Sequence, residues 1–314
     1  MQEVNNINFQ NAKECWRYVY NKTKQIIDSL PDSSMKTKVW LQKKAITHVS
    51  EVIKVVDNMI ANSDYMESVD MKPRKAFARL TTVAIFHDLG RAAEVDTQTG
   101  ELKKGFDHAL ASYEMMKDAG IKDADILIPV KYHGCLNLGE ALNNDAEYQN
   151  LSDEEKKVVL SFSQIIRDAD KIANLEEKAN YGFKGSLEER DPNLSDKYEI
   201  SPEVEKSIRA KQQVNNKDRK TRVDAMLRIA GWMFDLNTPF AKQYIRNNKV
   251  AERIFEQVDN LMQTAKQKAI EEGNFDQKKY DETSNKLKTL QNCLSDQHPD
   301  QHITRKIQST KLYA

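Results

Sequence analysis

The chain has 314 residues, 39% of them hydrophobic and 31% charged, with 48 Lys and Arg balancing 48 Asp and Glu. That length can bury a sizeable core, whereas only 10 Gly and 7 Pro exclude a sandwich, barrel or propeller, whose tight turns consume those residues. A formal net charge of +0 leaves no whole-protein field to draw in nucleic acid or an anionic membrane, so any phosphate-binding charge has to be local.

Apolar residues recur at three- and four-residue spacing, and alternating runs are nearly absent, so the expected fold class is all-α. A first amphipathic helix is predicted from Asn11 to Leu30, ended by Pro31, and a second from Met35 to Asn62. A third starts near Pro73 and runs through KAFARLTTVAIFHDLG to Gly90. Its second half is apolar nearly all round and reads as a buried central helix. The polar stretch RAAEVDTQTGELKKG reads as a loop. Helices follow over Asp107–Ala119, Asp123–Tyr132 and Asp153–Asn180. An irregular segment, YGFKGSLEERDPNLSDKYEISPE, precedes helices near Arg219–Asp235 and Pro239–Asn247. A charge-balanced helical pair closes the chain, expected as a solvated extension. Cys15, Cys135 and Cys293 suit neither a disulfide framework nor a CxxC zinc site. The polar MQEVNNINFQNAKECW start and the absence of any run of about 18 apolar residues point to a cytoplasmic protein with no membrane partner.

His298 and His302 fall in the polar SDQHPDQHITRK tail and read as surface residues. The other histidines sit differently. His87 and Asp88 end the apolar helix, a poor place for two polar side chains unless they are jointly satisfied, and a metal ion would satisfy them. A structural hydrogen-bonded pair is the plainer alternative for His87-Asp88 taken alone. In RDADKIANL the apolar spacing turns Asp170 inward, where a carboxylate needs a cation. His48 shares a helix face with Ala45 and Val52, which suits either a satisfied core histidine or a ligand.

The order His48, His87-Asp88, Asp170 resembles the metal-dependent phosphohydrolases of the HD superfamily. IFHDLGR is similar to that family's HD signature and ADKIAN to its later aspartate segment, which implies Asp170 as the ligand and adds Asn174. DHALASYEMM and PVKYHG resemble the further histidine segments of members with a second metal, which implies His108 and His133. No Gly-Tyr-Pro motif occurs, His133 is followed by Gly134, and Arg91 and Ala92 replace the acidic pair of the (p)ppGpp hydrolases. The resemblance implies an HD-domain helical bundle over residues 36–250, with an N-terminal helix packing on it over 1–35 and a charged helical C-terminal extension over 251–314.

It also implies one or two divalent transition-metal ions (Mn, Fe, Co, Ni or Zn) held by His48, His87, Asp88, His108, His133 and Asp170, with Asp88 bridging when there are two. The expected activity is metal-activated hydrolysis of a phosphomonoester or phosphodiester, a nucleotide or a related small molecule. Arg91 and Lys171 are expected to act on the phosphoryl group, with Lys131 and Asn174 as further substrate contacts, and Asp168 and Glu94 as candidate proton carriers. A homo-oligomer is compatible with the sequence. The rival readings are an HD-fold binding or regulatory protein without turnover, and a di-iron HD-type oxygenase.

Overall fold

The computed structural model describes residues 11–62, 71–184 and 191–295 together with Ser186 and Glu189. His298 and His302 lie outside the described residues, as do residues 1–10 and the end of the expected C-terminal extension. The fold is all-α: among the described residues there is no sheet, only the isolated bridges Val95–Leu102 and Ser195–Thr221.

Helix α1 (Ala12–Ser29) starts where the Asn11 side chain accepts from the amides of Lys13 and Glu14. It buries Cys15 and Val19 in the main core. The second expected helix is interrupted: α2 (Met35–Gln42) and α3 (Val49–Asn62) are joined by a π-helical turn over Lys43–His48. Such a turn accommodates an extra residue and rotates what precedes it by about 100°. On the stretch before the turn Val39 is 53% exposed, while Trp40 and Leu41 are buried.

Helix α4 (Pro73–Phe86) has Pro at its first turn and buries Leu80, Val83, Ala84 and Phe86. The expected loop after Gly90 holds the short α5 (Arg91–Glu94) and a tight hairpin closed by Val95 and Leu102. Helices α6 (His108–Asp118) and α7 (Ala124–Tyr132) follow, then two short helices that the sequence pattern did not signal, α8 (Leu138–Asn143) and α9 (Ala146–Gln149).

The axis of the molecule is α10 (Asp153–Tyr181), opened by a reciprocal capping box between Ser152 and Glu155. It packs against α3, α4, α7 and two later helices, α13 (Pro239–Asn247) and α14 (Val250–Glu271). The chain reaches them through α11 (Pro202–Arg209), inside a stretch given no element by the sequence, and α12 (Arg222–Ala230). The last helix, α15 (Gln277–Ser295), packs on α11 and α14. The solvated-extension reading fails for this pair. Ile254, Phe255, Val258 and Met262 of α14, and Leu287, Leu290 and Leu294 of α15, belong to the same apolar cluster as α4 and α10. Their charges lie outward or pair with neighbouring helices, as Arg253 does with Glu176 of α10.

Candidate metal centre

Four helix ends and one long helix converge where the polar side chains are buried. His87 and Asp88 leave the end of α4 in a turn that keeps the His87 amide bonded to the Val83 carbonyl at 2.9 Å. His48 closes the π-turn, His108 is the first residue of α6, and His133 caps α7. Asp170 projects from the middle of α10. The start of α6 lies directly on the turn after α4: a β-carbon added at Gly90 would sit 2.1 Å from the His108 carbonyl oxygen. Ser112 fastens the two segments. Its hydroxyl accepts from the Gly90 amide at 2.8 Å and lies 2.8 and 2.9 Å from the carbonyl oxygens of His87 and His108.

Asp88 is the centre of the arrangement. Its Oδ2 is 3.9 Å from His48 Nε2 and 3.7 Å from His87 Nε2, whereas its Oδ1 is 3.3 Å from His108 Nε2 and 3.6 Å from His133 Nε2. Asp170 Oδ1 closes the first group at 2.8 Å from His48 and 3.8 Å from His87. The four imidazoles form a chain, with ring centroids 5.5 Å apart for His48 and His87, 5.1 Å for His87 and His133, and 5.0 Å for His133 and His108.

These groups fit divalent ions. Two ligands on one ion at ordinary nitrogen and oxygen distances stand about 3–3.5 Å apart. His87 Nδ1 donates to the Ala84 carbonyl at 2.7 Å and His133 Nδ1 to the Val130 carbonyl at 2.8 Å, which leaves each Nε2 with its lone pair turned into the site. His87 Nε2 is buried with no hydrogen-bond partner, and the Nε2 atoms of His108 and His133 face each other at 3.1 Å. A cation there satisfies the unmet His87 Nε2 and the lone pair of His133 Nε2.

Electrostatics point the same way. Burial pushes His87 down to about 4 and His108 down to about 3, keeping both imidazoles neutral. Burial opposes ionisation of Asp88 and Asp170. Arg91, His87, His133 and His108 nevertheless hold Asp88 well below the usual carboxylate range, and the hydrogen bond from His48 does the same for Asp170.

Comparison with known proteins finds no match: no family model, no curated protein and no solved structure is similar to the chain. What the site can do is therefore read from its own walls.

A cavity of about 360 Å³ reaches His108, His133 and Asp170 from outside. Arg91 lines it, with Nε 3.2 Å from Asp88 Oδ1 and Nη1 2.9 Å from Glu94 Oε2, and Glu94 lines it too. Lys171 also borders the cavity, 2.7 Å from the Asp235 carboxylate, and burial lowers its pKa. Asn174 braces the centre: its Nδ2 donates to Asp170 Oδ1 at 2.8 Å and its Oδ1 accepts from Lys44 at 2.8 Å.

Two expectations are corrected. Lys131 is not on the cavity wall; its ammonium lies 2.6 Å from Asp145, which also accepts from the Tyr132 hydroxyl. Asp168 carries no proton to the site. It faces away, fully buried, accepting from the amides of Asn237 and Thr238 and from the Thr238 hydroxyl, and so ties α10 to the start of α13.

Several lining residues lay outside the sequence reading: Lys43, Lys44, Lys178, Trp40, Trp232 and Arg228, the last with its guanidinium 5.2 Å over the Trp232 ring. Helical spacing signals one of them, since Lys178 follows Asn174 by four residues on α10. Arg167 was also missed. Fully buried on α10, it donates to the carbonyl oxygens of Tyr132 and Cys135 and to Asp235, fixing the turn that carries His133.

Proposed function

We propose that this protein is a metal-dependent phosphohydrolase of the HD type, acting on a phosphate ester of small-molecule size such as a nucleotide. The observation that carries the reading is the division of the Asp88 carboxylate, one oxygen toward His48 and His87 and the other toward His108 and His133. His48, His87, Asp88 and Asp170 would hold one ion, and Asp88, His108 and His133 a second. Bound there, divalent ions of the Mn, Fe, Co, Ni or Zn class supply an acidified water and withdraw charge from a phosphoryl group.

The chain's own residues do the rest. Arg91 stands on the cavity wall with donors for phosphoryl oxygens, and the Lys171 ammonium adds positive charge from just beneath that wall, where low dielectric strengthens each interaction. Asp235 and Glu94 keep those two cations oriented before substrate arrives. Glu94 shares the wall with Asp170, Asp235 and Glu177, its carboxylate paired with Arg91. Asn174 fixes the Asp170 carboxylate, and Arg167 fixes the segment bearing His133. The cationic wall favours this reading over oxygen chemistry on an uncharged substrate.

The experiment is a screen of the purified protein, reconstituted with Mn, Fe, Co or Ni, against nucleotides, cyclic dinucleotides and phosphomonoesters. Phosphate release that depends on added metal and disappears in Asp88→Asn is the expected result. Metal binding with no turnover of any ester would favour a regulatory protein, and substrate-dependent oxygen consumption would favour a di-iron oxygenase; either sinks the proposal.

A further inference from the structure

Beyond the metal ligands and the cations around them, the cavity wall is aromatic. Trp40 and Trp232, two of the chain's three tryptophans, line it together with Arg228 and Gln213. Trp40 is packed against Leu41, Leu30 and Val95 and is 7% exposed, yet its indole N–H has no partner among the described residues. Trp232 is half-buried on a 3-10 turn, Gly231–Asp235, that continues α12, and the Arg228 guanidinium stands 5.2 Å over its ring. The backbone of Val214 packs on Gly231, its nitrogen 3.5 Å from where a β-carbon would stand, and so brings Gln213 to the same wall. The Gln213 carboxamide is half-buried and makes no hydrogen bond among the described residues.

These features suit one chemistry. An indole with a guanidinium held on it is a flat, polarisable surface on which a planar ring stacks. The indole N–H donates only, whereas a carboxamide both donates and accepts, so a ring whose edge carries nitrogens and exocyclic polar groups satisfies both. An aliphatic chain offers neither the face nor the edge. The aromatic wall is also tied to the metal centre: Asp235 ends the turn that carries Trp232, and its carboxylate is 2.7 Å from the ammonium of Lys171, the residue after Asp170. Ring and phosphate would thus share one cavity of about 360 Å³, within the roughly 300–1,000 Å³ of small-molecule sites. We infer that Trp232, with Arg228, Gln213 and Trp40, forms a subsite for a planar heteroaromatic ring, so that the ester is a nucleoside phosphate whose base stacks on this wall. The inference rests on the phosphohydrolase reading for the position of the phosphate.

The test uses binding, with probes whose C–P bonds resist hydrolysis. Calorimetry on the manganese-loaded full chain compares the 5′-phosphonates of adenosine, guanosine, cytidine and uridine with ribose 5-phosphonate, which has no base. The best nucleoside phosphonate should bind about tenfold tighter than ribose phosphonate, the gain expected of one stacked base. Trp232→Ala should abolish that advantage with metal content unchanged, and Trp232→Phe, which keeps an aromatic face, should retain most of it. Gln213→Ala should weaken the preferred nucleoside phosphonate by about fivefold and leave ribose phosphonate as it was. No binding of any probe, equal affinity with and without a base, or an advantage that survives Trp232→Ala overturns the subsite. Should Trp232→Ala fail to fold or to hold metal, Gln213→Ala decides, and unchanged binding of the preferred probe overturns it. A protein that prefers the base-bearing probe yet hydrolyses no ester overturns the proposed function and leaves the subsite standing; one that hydrolyses monoesters with no such preference does the reverse.

Discussion

The two sides of Asp88 are built differently. On the Oδ2 side, His48 ends the π-turn and His87 caps the apolar α4, and their side chains are 2% and 0% exposed. On the Oδ1 side, His108 and His133 also occupy helix ends; His133 is 1% exposed, but His108 keeps 18% of its side chain exposed, and Gly134 leaves that edge of the cavity without a side chain. The inner position is therefore held by packing, and the outer one by backbone fastening through Ser112 and Arg167. Packing resists displacement in every direction, whereas fastening depends on a few hydrogen bonds. An ion on the outer side should accordingly be the first to leave.

The contrast breaks most severely at Asp88. Asp88→Asn removes the shared charge and should take metal content from about two ions per chain to near zero by elemental analysis. If one ion is retained, the two oxygens do not serve two positions. Next in size is Gly90→Ala. Its β-carbon meets the His108 carbonyl and the Ser112 amide, so thermal unfolding should register a loss of about 3 kcal/mol or more. A variant that melts with the wild type would show that α6 is free to move.

The comparison sharpens with single histidines. His108→Ala or His133→Ala should lose about one ion and His48→Ala the other, while a chelator titration of the wild type should remove the outer ion first. Loss of both ions in every one of the three variants would merge the two sides into one site.

A smaller, pH-dependent effect belongs to Glu177, which lies among Lys43, Lys44 and Lys178. Glu177 is depressed to about 2 from 4.5, so the folded state binds fewer protons than the unfolded state between those values. Its contribution is present above pH 4.5 and is lost as pH falls toward 2. The stability difference between wild type and Glu177→Gln, from denaturant titrations, should close over that window. The smallest effect is expected at Lys131→Ala, which leaves turnover and metal content unchanged and costs about 1 kcal/mol of stability from its pair with Asp145. A fall in turnover would return Lys131 to the substrate.

How much was legible in the chain depends on whether a feature repeats locally. Helical periodicity revealed α1, α4, α6, α7 and α10 near their true limits, because burial of one face writes a spacing into the residues. It also turned Asp170 inward. The π-turn was invisible: its extra residue changes no local propensity, yet it sets where His48 and the two lysines before it point. The charged face of α14 disguised a helix whose apolar stripe completes the core.

The sequence by itself determined an all-α chain and the unusual residues in it: histidines and aspartates at the ends of apolar helices, where burial of a polar group demands a partner. Only the tertiary structure decided who the partners are. It placed one oxygen of Asp88 toward each pair of histidines, gave Lys131 to Asp145 and Asp168 to the start of α13, and set Lys43, Lys44 and Lys178 around Glu177. Several of those outcomes depend on contacts far beyond a helical turn, such as Asp168 with Thr238 at 70 positions and Lys43 with Glu177 at 134. Local spacing specifies which face of a helix turns inward; the packing of one helix on another specifies what that face meets.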